Sequence, residues 1–231
     1  MAILVFLNAW LITRLWLTFR DQPLPLREWL LLAVVQLLPV GLITPGLHSV
    51  ILAVAVFAAL ALPEQFSPGE RLNESRLAGG VLVMGAAFGI AQYSAPGLWL
   101  PVPEQPDNLR AFLLGLLGFL LVANETNLAV RALLHRFQME PRSATPDQNG
   151  AVDEREYNAG RMIGMLERWL IYLVLVFAQN YNVIALILAA KGVARFRQME
   201  ERAFAEYVLI GTLASILLTV MIALAILHFS D

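Results

Sequence analysis

From Trp29 to Leu62 the chain runs 34 residues without an aspartate, glutamate, lysine or arginine. At about 1.5 Å per residue, one helix over this run would measure about 51 Å. A bilayer's hydrocarbon core is about 30 Å thick and takes about 20 apolar residues per crossing. A single straight span is therefore too long. The run also carries its own breaks, at Pro39 and at Thr44-Pro45-Gly46. It reads as two short helices, near 28–43 and 47–62, with a re-entrant hairpin as the alternative.

Composition points the same way. Of 231 residues, 58% are hydrophobic and 15% charged, and mean hydropathy is +0.66. Soluble domains have roughly 45–50% apolar and about 25% charged residues. A typical soluble enzyme and a disordered or collagen-like chain are excluded. Further apolar segments lie at 2–19, 77–95, 108–123, 159–179, 183–199 and 204–228. The expected fold class is an all-α, polytopic transmembrane helix bundle of seven to eight spans. In the first segment no basic residue precedes the apolar run, and Arg14 and Arg20 come late in it or after it. That is the wrong order for a cleaved signal. It reads as a retained first span, with Arg14 snorkelling toward its C-terminal end.

Lys and Arg mark cytoplasmic loops. With eight spans and the N-terminus outside, 15 of the 16 basic residues fall on the inner side, and Arg110 sits at a border. Both termini are then outside, in the periplasm of a bacterial inner membrane. The excess of arginine over lysine, 15 to 1, fits GC-rich bacterial coding. The polar stretch 139–157 reads as a cytoplasmic linker. It separates the N-terminal membrane helices, 1–138, from a C-terminal three-helix module, 158–231.

Membrane helices associate through small residues and a few polar links. Gly85/Gly89 and Gly160/Gly164 form GxxxG pairs, Gly115 and Gly118 share a side, and Gly211, Ser215 and Thr219 recur at helical spacing. Ordinary packing and a substrate-lined interface are the two readings of these stripes. Ionisable groups at membrane depth pair or line a cavity. Asn124, Asn127 and Arg131 share one face, with Glu125 beside them. Arg161 and Arg168 share another face. Glu167 lies on the Gly160/Gly164 stripe and is expected to pair with Lys191 or Arg195 across the Gln179–Asn182 turn. Lys191, Arg195 and Arg202 form a third stripe, with Glu206 a turn further. Arg131, Arg161, Arg168, Lys191 and Arg195 are the candidate ligands for a phosphate or anionic headgroup, because arginine presents forked donors. Asn124, Glu125, Asn127, Glu167 and Glu206 are the candidate buried polar or ion-pair residues. The plainer account is positive-inside bias plus structural ion pairs.

The strings GRMIGMLERWLI (160–171), AAKGVARF (189–196) and EYVLIGTLAS (206–215), preceded by N-x-x-V-R at 127–131, resemble the C-terminal module of a family of bacterial multi-pass inner-membrane proteins with no established activity. The resemblance covers about 124–228. It implies the module boundaries and singles out Arg161, Glu167, Arg168, Lys191, Arg195, Glu206 and Thr212. It implies no reaction.

Catalytic signatures are sparse. The chain has no cysteine, so it has no disulfide, thiolate metal site or cysteine nucleophile. His48, His135 and His228 are far apart, and HExxH, GxSxG and phosphate-loop motifs are absent. No cofactor or metal is expected. The net charge of −2 offers no footprint for nucleic acid. The expected partners are the bilayer, an anionic phospholipid, and a partner subunit or second copy. Three functions stay open: a structural or accessory membrane subunit, a small transporter-like or lipid-binding protein, and a metal-free membrane enzyme using Glu125 or Glu167.

Overall fold

Among the described residues the apolar runs are predominantly helical, the arrangement in which a backbone satisfies its own N–H and C=O groups. The computed structural model describes residues 1–18, 20, 22–43, 45–67, 71–93, 107–137, 139, 154–194, 196, 200 and 202–230. Among them there is helix and no β-strand. The helices are α1 (Ala2–Arg14), α2 (Leu26–Leu37), α3 (Leu47–Phe66), α4 (Leu72–Tyr93), α5 (Asp107–Leu120), α6 (Thr126–Arg136), α7 (Glu154–Leu173), α8 (Asn182–Ala194) and α9 (Arg202–Ser230). A π-helical turn, Leu121–Glu125, joins α5 to α6 into one continuous rod, and a second, Val174–Ala178, ends α7.

Among the described residues, four helices are long and apolar enough to cross a membrane: Leu47–Phe66, Leu72–Tyr93, Asn108–Arg136 and Phe204–Ser230. The other expected spans are shorter or more polar. Ala2–Leu17 and Asn182–Ala194 are short apolar helices, and α7 opens on the charged sequence Glu154-Arg155-Glu156. The break expected at Pro39 is present. Proline has no N–H to continue the α-helical ladder, and the chain tightens into a 3₁₀ segment, Leu38–Leu42, after α2.

The chain divides into two compact units, Met1–Ala129 and Val130–Phe229. The division falls inside α6, ahead of the polar stretch expected to separate the modules; most of 139–157 lies outside the described residues.

In the first unit α1 is the centre. Phe6, Trp10 and Leu11 are fully buried against Val40, Leu52 and Val83, among others, from the following helices. The most extensive pairing is α3 with α4. Gly79 makes it close: a Cβ there would come within 2.7 Å of the Ala59 carbonyl oxygen. The GxxxG pair expected to mark a tight crossing does not do so. A Cβ on Gly85 or Gly89 would meet nothing within 4 Å, and the same holds for Gly115.

In the second unit α7 ends at Gln179, which adopts the left-handed conformation (φ 48°) that closes helices. The backbone N–H of Asn182 donates to Asn180 Oδ1 at 3.0 Å and opens α8. No residue of α8 is buried. Helix α9 buries one stripe, Phe204, Val208, Thr212, Ser215, Thr219 and Ala223, at the spacing of a single helix face. Its remaining faces are apolar and exposed, as suits a helix surrounded by lipid.

Candidate functional site

Among the described residues of the first unit, four charged side chains lie in the interior. Arg14 and Glu125 have side chains 1% and 6% exposed, and Arg76 and Glu64 have side chains 1% and 3% exposed. Arg14 grips Glu125 with two donors, Nε to Oε1 at 2.6 Å and Nη2 to Oε2 at 3.1 Å. Bidentate pairing of this kind is the strongest geometry an arginine and a carboxylate can adopt. The guanidinium also lies 4.9 Å from the centre of the Trp10 ring, where the ring's negative face attracts it. Arg14 Nη2 donates as well to the Arg76 carbonyl at 2.9 Å, which ties the two pairs together.

Arg76 in turn donates through Nε to Glu64 Oε1 at 2.7 Å. Its remaining nitrogens donate to the carbonyls of Arg20 and Gln22. Glu64 Oε2 accepts the backbone N–H of Leu24 at 2.7 Å. The connection between α1 and α2 is thus pinned by one arginine from α4 and one carboxylate from the end of α3. A buried charge is tolerated when it is paired and its remaining hydrogen bonds are made, and both carboxylates meet that condition.

The π turn presents the acceptor side. Residues Val122 to Leu128 are buried without interruption, which an ordinary helix face cannot give by itself. Asn124 Nδ2 donates to Glu125 Oε1 at 2.8 Å, Thr18 Oγ1 donates to Asn124 Oδ1 at 2.9 Å, and Asn127 Nδ2 donates to the Thr18 carbonyl at 3.2 Å. Gly80 leaves room for the pair: a Cβ there would lie 2.7 Å from Glu125 Oε2 and 3.1 Å from Arg14 Nη2.

Asn124, Glu125 and Asn127 are therefore brought together and buried. Arg14, expected to snorkel, turns inward instead, because Glu125 offers it a bidentate acceptor that a surface position would lack. Arg131, expected on the face of Asn124 and Asn127, is half-buried. Sequence reasoning missed Glu64 and Arg76 as a pair. The available signal was position: Glu64 is the first charge after the 34-residue uncharged run, one proline beyond its end, and a charge at such a border needs a partner.

In the second unit Lys191 Nζ lies 2.6 Å from Glu167 Oε2, with side chains 16% and 19% exposed. Lys191 thus serves a carboxylate and is not free for an anion pocket. Glu167 is only partly enclosed, with its side chain 19% exposed. A Cβ on Gly164 would meet Arg168 Nη1, at 3.6 Å. Helical side chains lean toward the N-terminus, so the guanidinium of Arg168 lies back over the glycine one turn before it. Arg168 itself is buried, and its Nη1 donates to Ser215 Oγ at 3.2 Å. Thr219 Oγ1 donates to the Ser215 carbonyl at 2.8 Å. Thr212 is buried on the same stripe, and Arg161 is half-buried.

Glu206 departs from its expected place. Its side chain is 52% exposed and accepts from Arg202 Nε at 2.8 Å, one turn earlier on α9. It lies at the polar start of the helix, where a solvated pair within one turn satisfies both groups. Arg195 lies outside the described residues. No group of three or more His, Asp or Glu side chains with metal-binding proximity occurs among the described residues.

Comparison with known proteins adds no assignment: no family model, no curated protein and no solved structure matches the chain.

Proposed function

We propose that the chain is a multi-pass protein of a bacterial inner membrane, with seven to eight spans and both termini outside, and that its role is that of a structural or accessory subunit. The observation that carries this reading is the interlocked Arg14–Glu125 and Arg76–Glu64 pairs. Both carboxylates are saturated by arginine, amide or backbone donors. Such a constellation holds helices in register, and neither carboxylate is poised to take up a substrate's proton. The same reasoning disfavours an acid–base role for Glu167, whose carboxylate is held by Lys191. Helix α8, apolar and without a buried residue, supplies surface that lipid or a neighbouring subunit covers.

Two experiments test this. The chain lacks cysteine, so single cysteines report topology cleanly. Asn180→Cys is expected to react with an impermeant thiol reagent added outside intact cells and Ser143→Cys to stay unlabelled; the reverse pattern overturns the orientation. For the role itself, the protein is extracted directly into polymer-bounded native discs and its mass measured. An accessory subunit emerges in a complex of fixed stoichiometry. A chain that is monomeric in such discs refutes the role.

A further inference from the structure

The rod of α5 and α6 is α-helical except at one turn, and that turn carries the buried carboxylate. At Leu121–Glu125 the ladder widens. The Thr126 N–H donates to the Leu121 carbonyl, five residues back, and Thr126 Oγ1 donates to the same oxygen at 3.4 Å. A single π turn inside an α-helix is rare and occurs most often at functional sites. Here it decides which way Glu125 points. In an uninterrupted α-helix, Asn124 would continue the stripe of Leu113, Leu117 and Leu120 that packs toward α1, and Glu125 would lie about 100° to its side. The extra residue held in the π turn sets the helix back by one position and brings Glu125 onto Arg14, at 2.6 Å.

The sequence suits a step of one. Between Ala111 and Val130 the polar side chains are Asn124, Glu125, Thr126 and Asn127, four in a row. All four are buried. The groups that meet them from α1 and the turn after it are the Arg14 guanidinium, Thr18 Oγ1 and the Thr18 carbonyl. When the extra residue leaves the turn, each of the four takes the direction of the next. Asn124 then comes to Arg14 in the place of Glu125, and Thr126 comes to the Thr18 carbonyl in the place of Asn127. An amide oxygen accepts from a guanidinium and a hydroxyl donates to a carbonyl, so both contacts are remade. The carboxylate makes the stronger, charge-assisted bond to Arg14, which makes the π setting the resting one.

We propose that the Leu121–Glu125 π turn is a rotary joint with two settings, distinguished by the side chain that Arg14 engages: a π setting with Glu125, and an α setting with Asn124 in which α6 is turned by about 100° about its own axis. A helix that turns in this way changes the side chains it presents without leaving its place. The joint lies in the chain's own helices, and it stands or falls apart from the accessory role.

The test moves the carboxylate by one residue. Asn124→Glu combined with Glu125→Asn keeps composition and charge, and gives Arg14 its carboxylate in the α setting. The chain lacks cysteine, so nitroxide labels can be placed in pairs, with the reference at Val54→Cys on α3, where the side chain is exposed, and the second label at Leu133→Cys or His135→Cys on α6, both also exposed. Distances are measured by pulsed electron resonance on the full chain in lipid nanodiscs. With side chains about 5–6 Å from the helix axis, a 100° turn displaces each α6 label by about 8 Å, and the two labels, about 200° apart, by different directions. The exchanged variant is expected to show both distances shifted from wild type and by unequal amounts. Unchanged distances overturn the proposal, because the π turn then persists wherever the carboxylate sits. Equal shifts at the two labels also overturn it, since they report a translation of α6. If the exchanged variant does not fold, Arg14→Met with Glu125→Leu carries the comparison. With no charge left to choose a setting, it is expected to show a second distance population beside that of wild type. A single wild-type distance there overturns the joint, and so does failure of both variants to fold.

Discussion

The two units treat buried arginine in opposite ways. In the first, Arg14 and Arg76 each meet a carboxylate head-on, and their remaining donors reach backbone carbonyls. In the second, Arg168 is nearly as enclosed but meets a single serine hydroxyl, while the adjacent Glu167 pairs with lysine. The contrast lies in what each charge is for. A cation closed on all sides by its own chain is a rivet between helices. Arg168, enclosed with two nitrogens unbonded, joins its helices through one hydrogen bond to a serine and is not riveted to a carboxylate.

Breaking the rivet should have the largest effect. Glu125→Gln leaves Arg14 buried without a counter-charge, and losing one member of a buried pair costs about 3–5 kcal/mol. Unfolding in mixed micelles should show that loss. The double replacement Arg14→Met with Glu125→Leu should recover much of it, because no lone charge remains. If the single variant is as stable as wild type, the pair is not a rivet and the contrast between the units collapses.

Crowding the rivet should do less. Gly80→Ala pushes a methyl to 2.7 Å from Glu125 Oε2, and overpacking of this kind costs about 1–3 kcal/mol. Gly85→Ala is the control, since its Cβ would meet nothing within 4 Å. It should be neutral or add up to about 1 kcal/mol through helix propensity. Equal losses from the two variants would mean that the packing around Gly80 is not what the pair depends on.

The smallest effect belongs to the half-enclosed pair of the second unit. Lys191→Met removes the partner of Glu167, but solvent screens both groups. The loss should stay at about 1 kcal/mol or below in the same unfolding assay. A loss as large as that of Glu125→Gln would place Glu167 deeper than its 19% exposure indicates.

How much of this was legible in the sequence differs from residue to residue. The helices were, because apolar runs of span length have no other way to satisfy their backbone in lipid; α3, α4 and α9 all lie where the runs at 47–62, 77–95 and 204–228 placed them. The grouping of Asn124, Glu125 and Asn127 followed from their spacing, although the π turn that buries the whole stretch left no mark in composition. The glycines misled. GxxxG at Gly85/Gly89 has the spacing of a packing motif, yet the close approaches belong to Gly79 and Gly80. Spacing defines a stripe on one helix and carries no information about whether a neighbour lies against it.

Sequence by itself determined that the chain is helical and that several of its helices match a bilayer in length and apolarity. It also determined that any charge set within these runs must find company. Those are properties of one segment facing its solvent, and each segment carries them alone. The Glu167–Lys191 pair followed from the short turn between its helices, but the partners of the buried arginines were decided only by tertiary structure. Arg14 reaches Glu125 across 111 residues, Arg76 closes on Glu64 across 12, and Arg168 turns to Ser215 across 47. A guanidinium is satisfied by whatever acceptors the folded helices bring within hydrogen-bonding distance, and that distance is set by packing between segments, which no single segment encodes.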